Sequence, residues 1–315
     1  MTRKILRWIA VILIVAVVFT SVVYFRDMNR AYERVSGKSI VIGSPYGDIE
    51  YTERGSGPPV LVIHGSGGGF DQGELIAEAV LNDQFRSIIP SRFGYLRSTF
   101  HEGATFDDQA HAYAYLLDTL GIGKVAVVTL SHGGPSSLLF AALHPERISS
   151  LTLISAGVAS SPTQNQEEAN QKGDMLTTIY KYDPLYWGMT KLFRKQFMKL
   201  MGANDDVIVG LSAEQRTLID HVIDFMNPVS PRSAGVNFDN KAAMPNERIA
   251  GIGASTLILH AADDALQLFH NAEFADSTIP GARLVRFEKG GHFLIAVEQS
   301  AIRTHTQKHI LDHTP

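Results

Sequence analysis

The segment VAVVTLSHGGPSSLLFAALHPER, Val125 to Arg147, joins a run of apolar, mostly β-branched residues to a helix-like stretch, and Ser131 stands at the junction. A nucleophile elbow is a tight strand-to-helix turn that lifts a serine hydroxyl above a sheet, and small residues must flank the serine two positions away. Gly133 meets this requirement, whereas Thr129 stands where the pattern has glycine. Serine is also a favoured helix N-cap. The fragment alone therefore allows two interpretations of Ser131, a nucleophile and a cap.

Strand and helix patterns alternate on both sides of this junction. The segments PPVLVI, RSIIP, ISSLTLISA and STLILHA predict apolar strands, and FDDQAHAYAYLLDTLG has the spacing of an amphipathic helix. Nearly continuous apolar strands separated by helices indicate a parallel sheet that is covered on both faces. The predicted fold class is α/β, with a hairpin formed by KSIVIG and DIEYTERG at its start.

This alternation stops at about Ala159 and resumes about ninety residues later. The interval contains polar stretches and aromatic, basic helical ones, but no pattern of a buried strand. An interruption that rejoins the same pattern is most simply a helical cap over the carboxyl ends of the strands, where open α/β sheets keep their sites. We therefore divide the chain into an N-terminal segment (1–37), the first part of the core (38–158), a cap insertion (159–250) and the second part of the core (251–315).

Near the N-terminus, the uncharged apolar run Trp8 to Phe25 follows Arg3, Lys4 and Arg7. As a helix rising about 1.5 Å per residue, this run would span roughly 27 Å, close to the thickness of a bilayer core. We expect an uncleaved signal anchor, with a cleaved signal peptide and secretion as the alternative. The basic residues before the run predict a cytoplasmic N-terminus and a catalytic domain on the extracytoplasmic side.

The composition excludes several classes of function. The net charge of -4 and the pI of about 6.3 give no basic footprint for nucleic acid. The chain has no cysteine, which excludes disulfides, cysteine-ligated zinc and thiol catalysis. With 45% hydrophobic residues, a chain of 315 residues can bury one sizeable core.

A nucleophilic serine needs an imidazole base, an acid that orients the base, and donors for the oxyanion. The glycine-rich loop HGSGGG follows a buried strand, and we name the amides of Ser66 and Gly67, with that of His132, as candidate oxyanion-hole donors. Phosphate binding is the other interpretation of this loop, but no Gly-Lys-Ser/Thr follows. AADDA offers Asp263 and Asp264 as acids, although aspartates after strands also serve in turns.

The segments VLVIHGSGGG, IIPSRFGYLRS, LSHGGPSSLLFAALHPER, TLILHAADD and GGHF together resemble, in order and spacing, the motifs of the α/β-hydrolase fold superfamily. The resemblance covers about Ser39 to Leu311 and is closest to serine-nucleophile ester hydrolases. It implies a mostly parallel central sheet with helices on both faces and a helical cap insertion. It also implies Ser131 as the nucleophile, Asp264 as the acid and His292 in EKGGHF as the general base. Departures from the family pattern are Thr129 in the elbow, Ser91 where many relatives have aspartate after the fourth strand, and Ala261, which replaces the glycine of the usual turn before the acid.

The activity implied by this resemblance is hydrolysis of a small, apolar carboxylic ester through an acyl-enzyme, without a metal or an organic cofactor. A carbon–carbon bond hydrolase, a lactonase or an aminopeptidase with the same triad remains open, as does a membrane-anchored ligand-binding module with a degenerate site. We expect a small-molecule substrate and a membrane as partners; the oligomeric state is not predicted. Tyr186, Trp187, Met189 and Phe193 of the cap are candidates for an apolar substrate pocket, although their helical spacing also fits plain packing.

Overall fold

An eight-stranded sheet forms the centre of the folded domain in the computed structural model, which describes residues 2–160 and 164–314. The strands are β1 (Ile40–Ile42), β2 (Ile49–Arg54), β3 (Pro59–Ile63), β4 (Arg86–Pro90), β5 (Val125–Leu130), β6 (Ile148–Ile154), β7 (Ser255–Ala261) and β8 (Arg283–Phe287). Their order across the sheet is β1-β2-β4-β3-β5-β6-β7-β8. β2 pairs antiparallel with both neighbours and all the other pairs are parallel, so the predicted α/β class is confirmed.

Helices cover both faces of this sheet. The α-helices of the described residues, including those outside the sheet faces, are α1 (Thr2–Val35), α2 (Phe70–Val80), α3 (Phe106–Thr119), α4 (Gly134–Leu143), α5 (Gln164–Ile179), α6 (Asp183–Leu192), α7 (Arg194–Leu200), α8 (Asp205–Gly210), α9 (Ala213–Phe225), α10 (Ser233–Lys241), α11 (His270–Thr278), α12 (Leu294–Val297) and α13 (Gln299–His313). α2 packs with α13, α3 packs with α4, and each pair contributes to a separate hydrophobic cluster against the sheet. The apolar side chains of β3 alternate between the two clusters, which is why the strand sequence is continuously apolar.

Between β6 and β7 the described part of the chain forms six α-helices, α5 to α10, two short 3₁₀ helices and no strand. Their apolar side chains form a third cluster that includes Tyr180, Tyr186 and Phe197 of these helices together with Tyr95 and Phe293 of the sheet domain. The helices therefore share a hydrophobic core with the sheet domain near the carboxyl ends of its strands.

Helix α1 has two unlike parts. Large apolar side chains from Ile5 to Phe25 are exposed, and among the described residues one helix, Arg3–Val35, is long and apolar enough to cross a membrane. The last turns behave differently, because Met28 and Ala31 are buried against the folded domain. Tyr32 donates a hydrogen bond to Asp183 Oδ2 over 2.9 Å. The end of α1 is therefore packed against the folded domain, although the helix ends at Val35, before the predicted boundary near residue 37.

Candidate active site

Ser131 occupies the sharp turn between β5 and α4. Its φ angle is 53°, a left-handed conformation that is uncommon for a residue with a side chain and is concentrated at functional sites. The N-cap of α4 is Gly133, and no side chain caps that helix. The cap interpretation of Ser131 is therefore wrong. A Cβ built on Gly133 would lie 2.7 Å from the carbonyl oxygen of His64, so the close approach of strand and helix requires glycine there.

Thr129 lies directly beneath this turn and is completely buried. A Cβ built on Gly133 would lie 2.5 Å from Thr129 Oγ1, so the threonine side chain fills the space that Gly133 leaves open. Its hydroxyl has no hydrogen-bond partner in the described structure. The departure from the usual glycine is thus accommodated by packing rather than by a hydrogen bond.

Replacing Thr129 by valine is expected to preserve turnover within about twofold, because valine keeps the shape that supports the elbow. Removal of a buried hydroxyl without a partner should leave the free energy of unfolding unchanged or raise it by about 1 kcal/mol. Thr129→Gly, in contrast, should lower the free energy of unfolding by about 1–3 kcal/mol, since it creates a gap and places glycine inside a strand. Chemical denaturation and steady-state kinetics of both variants check this. A clear gain of activity in Thr129→Gly would show that threonine impairs the elbow.

Three of the predicted residues form one hydrogen-bonded chain. Ser131 Oγ lies 2.9 Å from His292 Nε2, and His292 Nδ1 lies 2.9 Å from Asp264 Oδ2. All three side chains are buried. With the imidazole proton on Nδ1, the ring donates to the carboxylate and accepts from the serine hydroxyl, which is the arrangement needed to remove the serine proton.

The two neighbouring aspartates have different surroundings. Asp264 Oδ1 accepts from the backbone amides of Leu266 and Gln267, each over 2.9 Å. Burial opposes the charged form of Asp264, but His292 and these donors outweigh it and hold the carboxyl pKa below its usual range. Asp263 instead accepts from the Gly291 amide over 2.8 Å and from Asn204 over 2.7 Å. Asp263 thus supports the loop that carries His292, and Asp264 contacts the imidazole.

A further histidine, which the sequence did not single out, lies behind Asp264. His260 Nε2 donates to the carbonyl of Gln267 over 2.7 Å and is 3.6 Å from Asp264 Oδ2. Burial lowers the pKa of His260, which favours its neutral form. Its place at the end of STLILH, four residues before Asp264, was the only available signal.

The glycine-rich loop lies against the serine. A Cβ built on Gly65 would be 3.0 Å from Ser131 Cβ and 3.5 Å from its Oγ. The amide of Gly67 donates to the hydroxyl oxygen of Tyr95 over 3.3 Å. Gly67 therefore leaves the predicted set of oxyanion donors, and the amides of Ser66 and His132 remain as candidates.

His64 holds the start of this loop and is fully buried. Its Nε2 accepts from the Arg92 amide over 2.9 Å, so Nδ1 carries the proton and donates to the Gly65 carbonyl over 2.7 Å. Burial lowers the pKa of His64 far below that of a free histidine, and the nearby Arg92 charge lowers it further. His64 is therefore a neutral support of the loop.

A buried ion pair connects the loop to α10. The Arg92 guanidinium donates to both carboxylate oxygens of Asp239, over 2.7 and 2.6 Å, and both side chains are fully enclosed. Tyr95 donates to Asp239 Oδ2 over 2.5 Å, and its hydroxyl also lies 3.2 Å from Ser66 Oγ. His132 Nε2 donates to the Asp239 carbonyl over 3.2 Å. Arg92 and Tyr95 belong to the segment IIPSRFGYLRS, but no pattern in the sequence indicated a role for either residue or for Asp239.

Ser131 opens onto an apolar cavity that encloses about 890 Å³, part of it open to solvent. Its lining comes from the glycine loop, from α2, from α12 and from the cap. The main apolar side chains are Leu75, Ile76, Leu130, Leu176, Tyr180, Met201, Leu218, Val222, Met226, Val236, Phe293 and Ile295.

None of the four predicted pocket residues lines this cavity. Tyr186 lies in the cap core and donates to the Ile223 carbonyl over 2.6 Å. Trp187 faces helix α1, where Nε1 donates to Asp27 Oδ2 over 3.1 Å. Met189 packs against the cap core, and Phe193 is half exposed. The prediction was wrong because α6 turns its apolar face to α1 and to the other cap helices.

A second, more polar cavity meets the first at Ser66 and Ser131 and encloses about 1360 Å³, including open solvent. Its polar lining includes His132, Ser160, Asn170, Asp174, Asp239, Asn240, Gln267 and Asn271. Among the described residues around either cavity there is no lysine or arginine. In the same part of the chain, no group of three His, Asp or Glu side chains is placed to hold a metal ion.

Comparison with known proteins agrees with this architecture. The alpha/beta hydrolase fold family matches residues 58–299. The uncharacterized hydrolase YcgS of Bacillus subtilis (strain 168) is 28% identical over 271 residues, covering 81% of this chain and 92% of that protein. The 2-hydroxymuconate semialdehyde hydrolase of Pseudomonas putida is 29% identical over 252 residues, covering 76% and 83%. The crystal structure of a membrane phospholipase A, a bacterial virulence factor, has a TM-score of 0.69 at 18% identity and covers 97% of this chain and 98% of that one. The chain therefore belongs to the α/β-hydrolase fold family.

Proposed function

We propose that this hydrolase cleaves carboxylic esters through an acyl-enzyme on Ser131. The observation that carries the proposal is the buried chain of two 2.9 Å hydrogen bonds from Ser131 through His292 to Asp264. In the proposed reaction His292 accepts the serine proton as Oγ attacks the carbonyl carbon, and then gives it to the departing alcohol. Water activated by the same imidazole releases the acid. Asp264 keeps the ring in the required tautomer and stabilises the imidazolium that forms.

The amides of Ser66 and His132 are the proposed donors to the oxyanion. Donors of this kind are effective because they are held in place before charge develops, and losing one costs about 10²–10³ in rate. Support for a fixed loop comes from the contacts of His64 and Tyr95 with it. The Ser66 amide of this loop is therefore proposed to contribute about 10²–10³ in rate, in addition to the larger effect of the three side chains.

The two cavities suggest how an ester would bind. The apolar cavity suits an acyl chain, and each buried methylene contributes about 0.8 kcal/mol. The polar cavity on the other side of Ser131 suits an alcohol with hydroxyl or amide groups. The described lining of the polar cavity includes Asp174 and Asp239, and neither cavity has a cation in its described lining, so anionic groups close to the scissile bond would be disfavoured.

We also propose that the N-terminal helix anchors the enzyme in a membrane, with the catalytic domain on the extracytoplasmic side. The exposed apolar part of α1 and the basic residues before it support this orientation. The likeness to a membrane phospholipase A covers 97% of the chain, so it includes most of this helix. Helix α9 contributes to the lining of the apolar cavity and also binds Arg34 at the end of α1. Arg34 lies about 14 Å along the helix from Phe25, where the apolar run ends. An enzyme held there would meet esters that partition into membranes.

Carbon–carbon bond hydrolysis is the second candidate, because the relative that is 29% identical is a 2-hydroxymuconate semialdehyde hydrolase. Substrates of that kind are carboxylates. The lack of a cationic side chain in the described lining of the cavities is the reason that we favour an ester.

The test uses the full chain in detergent, with Ser131→Ala as the control, and begins with a fluorophosphonate probe. Labelling of the wild type but not of the variant is expected. Steady-state kinetics should then give a kcat/KM for p-nitrophenyl octanoate at least tenfold above that for the acetate, a ratio that two buried methylenes would provide at about 0.8 kcal/mol each. Absence of labelling would overturn the nucleophile and favour a degenerate binding module. Faster turnover of a 2-hydroxy-6-oxo-dienoate than of any ester would favour the second candidate.

A further inference from the structure

A second buried arginine, Arg232 of the cap, forms hydrogen bonds with the glycine loop. The guanidinium of Arg232 is fully enclosed between the cap and α2. It donates to the Gly68 carbonyl over 2.6 Å and to the two carboxylate oxygens of Asp71, each over 2.9 Å. It also donates to the Pro228 carbonyl over 2.9 Å. Gly68 is two residues from Ser66, so this arginine supports the loop that carries a proposed oxyanion donor.

The end of the N-terminal helix joins the same cluster. Arg34 Nε donates to Asp71 Oδ2 over 3.1 Å, so one buried carboxylate binds two arginines. Arg34 Nη2 donates to the Phe225 carbonyl over 2.9 Å and to the Asn227 carbonyl. Its guanidinium lies 4.2 Å from the centre of the Phe225 ring. Arg34 is nine residues beyond the apolar run, yet it binds both the start of α2 and the segment between α9 and α10.

We infer that Arg34 is a positioning residue for the active site, through which the end of the N-terminal helix fixes the glycine loop by way of Asp71 and Arg232. The inference rests on the proposed function, because its kinetic effect requires the loop to hold an oxyanion donor. Without Arg34, Asp71 would bind only one arginine, Arg232. The carbonyl groups of Phe225 and Asn227 would each lose a hydrogen-bond donor. The carboxylate and Arg232 can then shift, and Gly68 moves with them. A displacement of about 1 Å far from the chemistry can cost up to about a hundredfold in rate.

The kinetic test compares Arg34→Met with Arg30→Met in the full chain, using kcat per site titrated with the fluorophosphonate. Arg30 is exposed on the same helix, five residues beyond the apolar run, so its variant removes the same charge without changing the cluster around Asp71. We expect Arg34→Met to lower kcat about tenfold with KM within twofold of the wild type, since the loop acts on the transition state more than on the bound ester. Arg30→Met should stay within twofold in both parameters. Arg34→Lys, which keeps a donor for Asp71, should recover part of kcat.

Hydrogen exchange of the peptide that covers residues 65–71 gives a readout that does not depend on activity. Its amides should exchange faster in Arg34→Met than in Arg30→Met, because the loop and the first turn of α2 lose a fixed partner. A folded Arg34→Met protein with unchanged exchange and with kcat within twofold of the wild type would overturn the inference, and so would equal losses in the two variants. If the fluorophosphonate does not react with the wild type at all, the proposed function fails. The hydrogen-exchange measurement then still decides whether Arg34 holds the loop.

Discussion

Replacing His292 by glutamine is expected to lower kcat for an ester by a factor on the order of 10⁴ to 10⁶. His292 Nε2 lies 2.9 Å from the serine hydroxyl, and among the described residues no other imidazole is hydrogen-bonded to it. Glutamine can still donate a hydrogen bond to Asp264, but it cannot take a proton from the serine. The remaining rate would come from the bound oxyanion donors alone.

Stopped-flow and steady-state measurements with p-nitrophenyl octanoate would check this loss in both acylation and deacylation. His101→Gln is the matched control, because His101 is exposed and lies outside the site; its kcat should stay within about twofold of the wild type. Retention of more than about a tenth of wild-type kcat by a folded His292→Gln protein would be incompatible with the proposed general base.

The second large effect concerns stability. Asp239→Asn is expected to lower the free energy of unfolding by about 3–5 kcal/mol, because it leaves the Arg92 charge buried without a countercharge. Tyr95 also loses the charged acceptor of its hydrogen bond, so the glycine loop should become less ordered. Urea unfolding of the detergent-solubilised chain, followed by the fluorescence of Trp187 in the cap, would measure the change.

Two further variants identify the cause of that loss. Asp276→Asn removes an exposed aspartate and should change the free energy of unfolding by less than about 0.5 kcal/mol. The double variant Arg92→Met with Asp239→Leu should recover most of the stability, since replacing both charges of a buried pair by apolar groups is often neutral. If Asp239→Asn cost no more than Asp276→Asn, the pair would have no role in stability.

The strand-to-helix turn at Ser131 could be predicted because its signals are local, whereas the choice between a nucleophile and a cap needed the other motifs of the chain. An apolar strand, a serine and two glycines before a helix lie within a few consecutive residues, and the backbone of those residues determines the turn. The wrong prediction of a pocket on α6 has a different origin. Helical periodicity identifies the apolar face of α6, but it does not say whether that face meets a cavity, the cap core or another helix. Trp187 meets Asp27 of α1, which is 160 positions away in the sequence.

By itself, the sequence determined the α/β class, the elbow at Ser131 and the choice of Asp264 and His292 as its candidate partners. The tertiary structure was needed to show that the Gly67 amide binds Tyr95, which cap residues line the cavities, and that Arg34 and Asp239 belong to ion pairs near the glycine loop. Arg34 reaches Asp71 from 37 positions away, and Arg92 reaches Asp239 from 147. The physical reason is that a buried charge must find its countercharge in space: folding brings such partners together, and no local pattern in the chain records which pairs will meet.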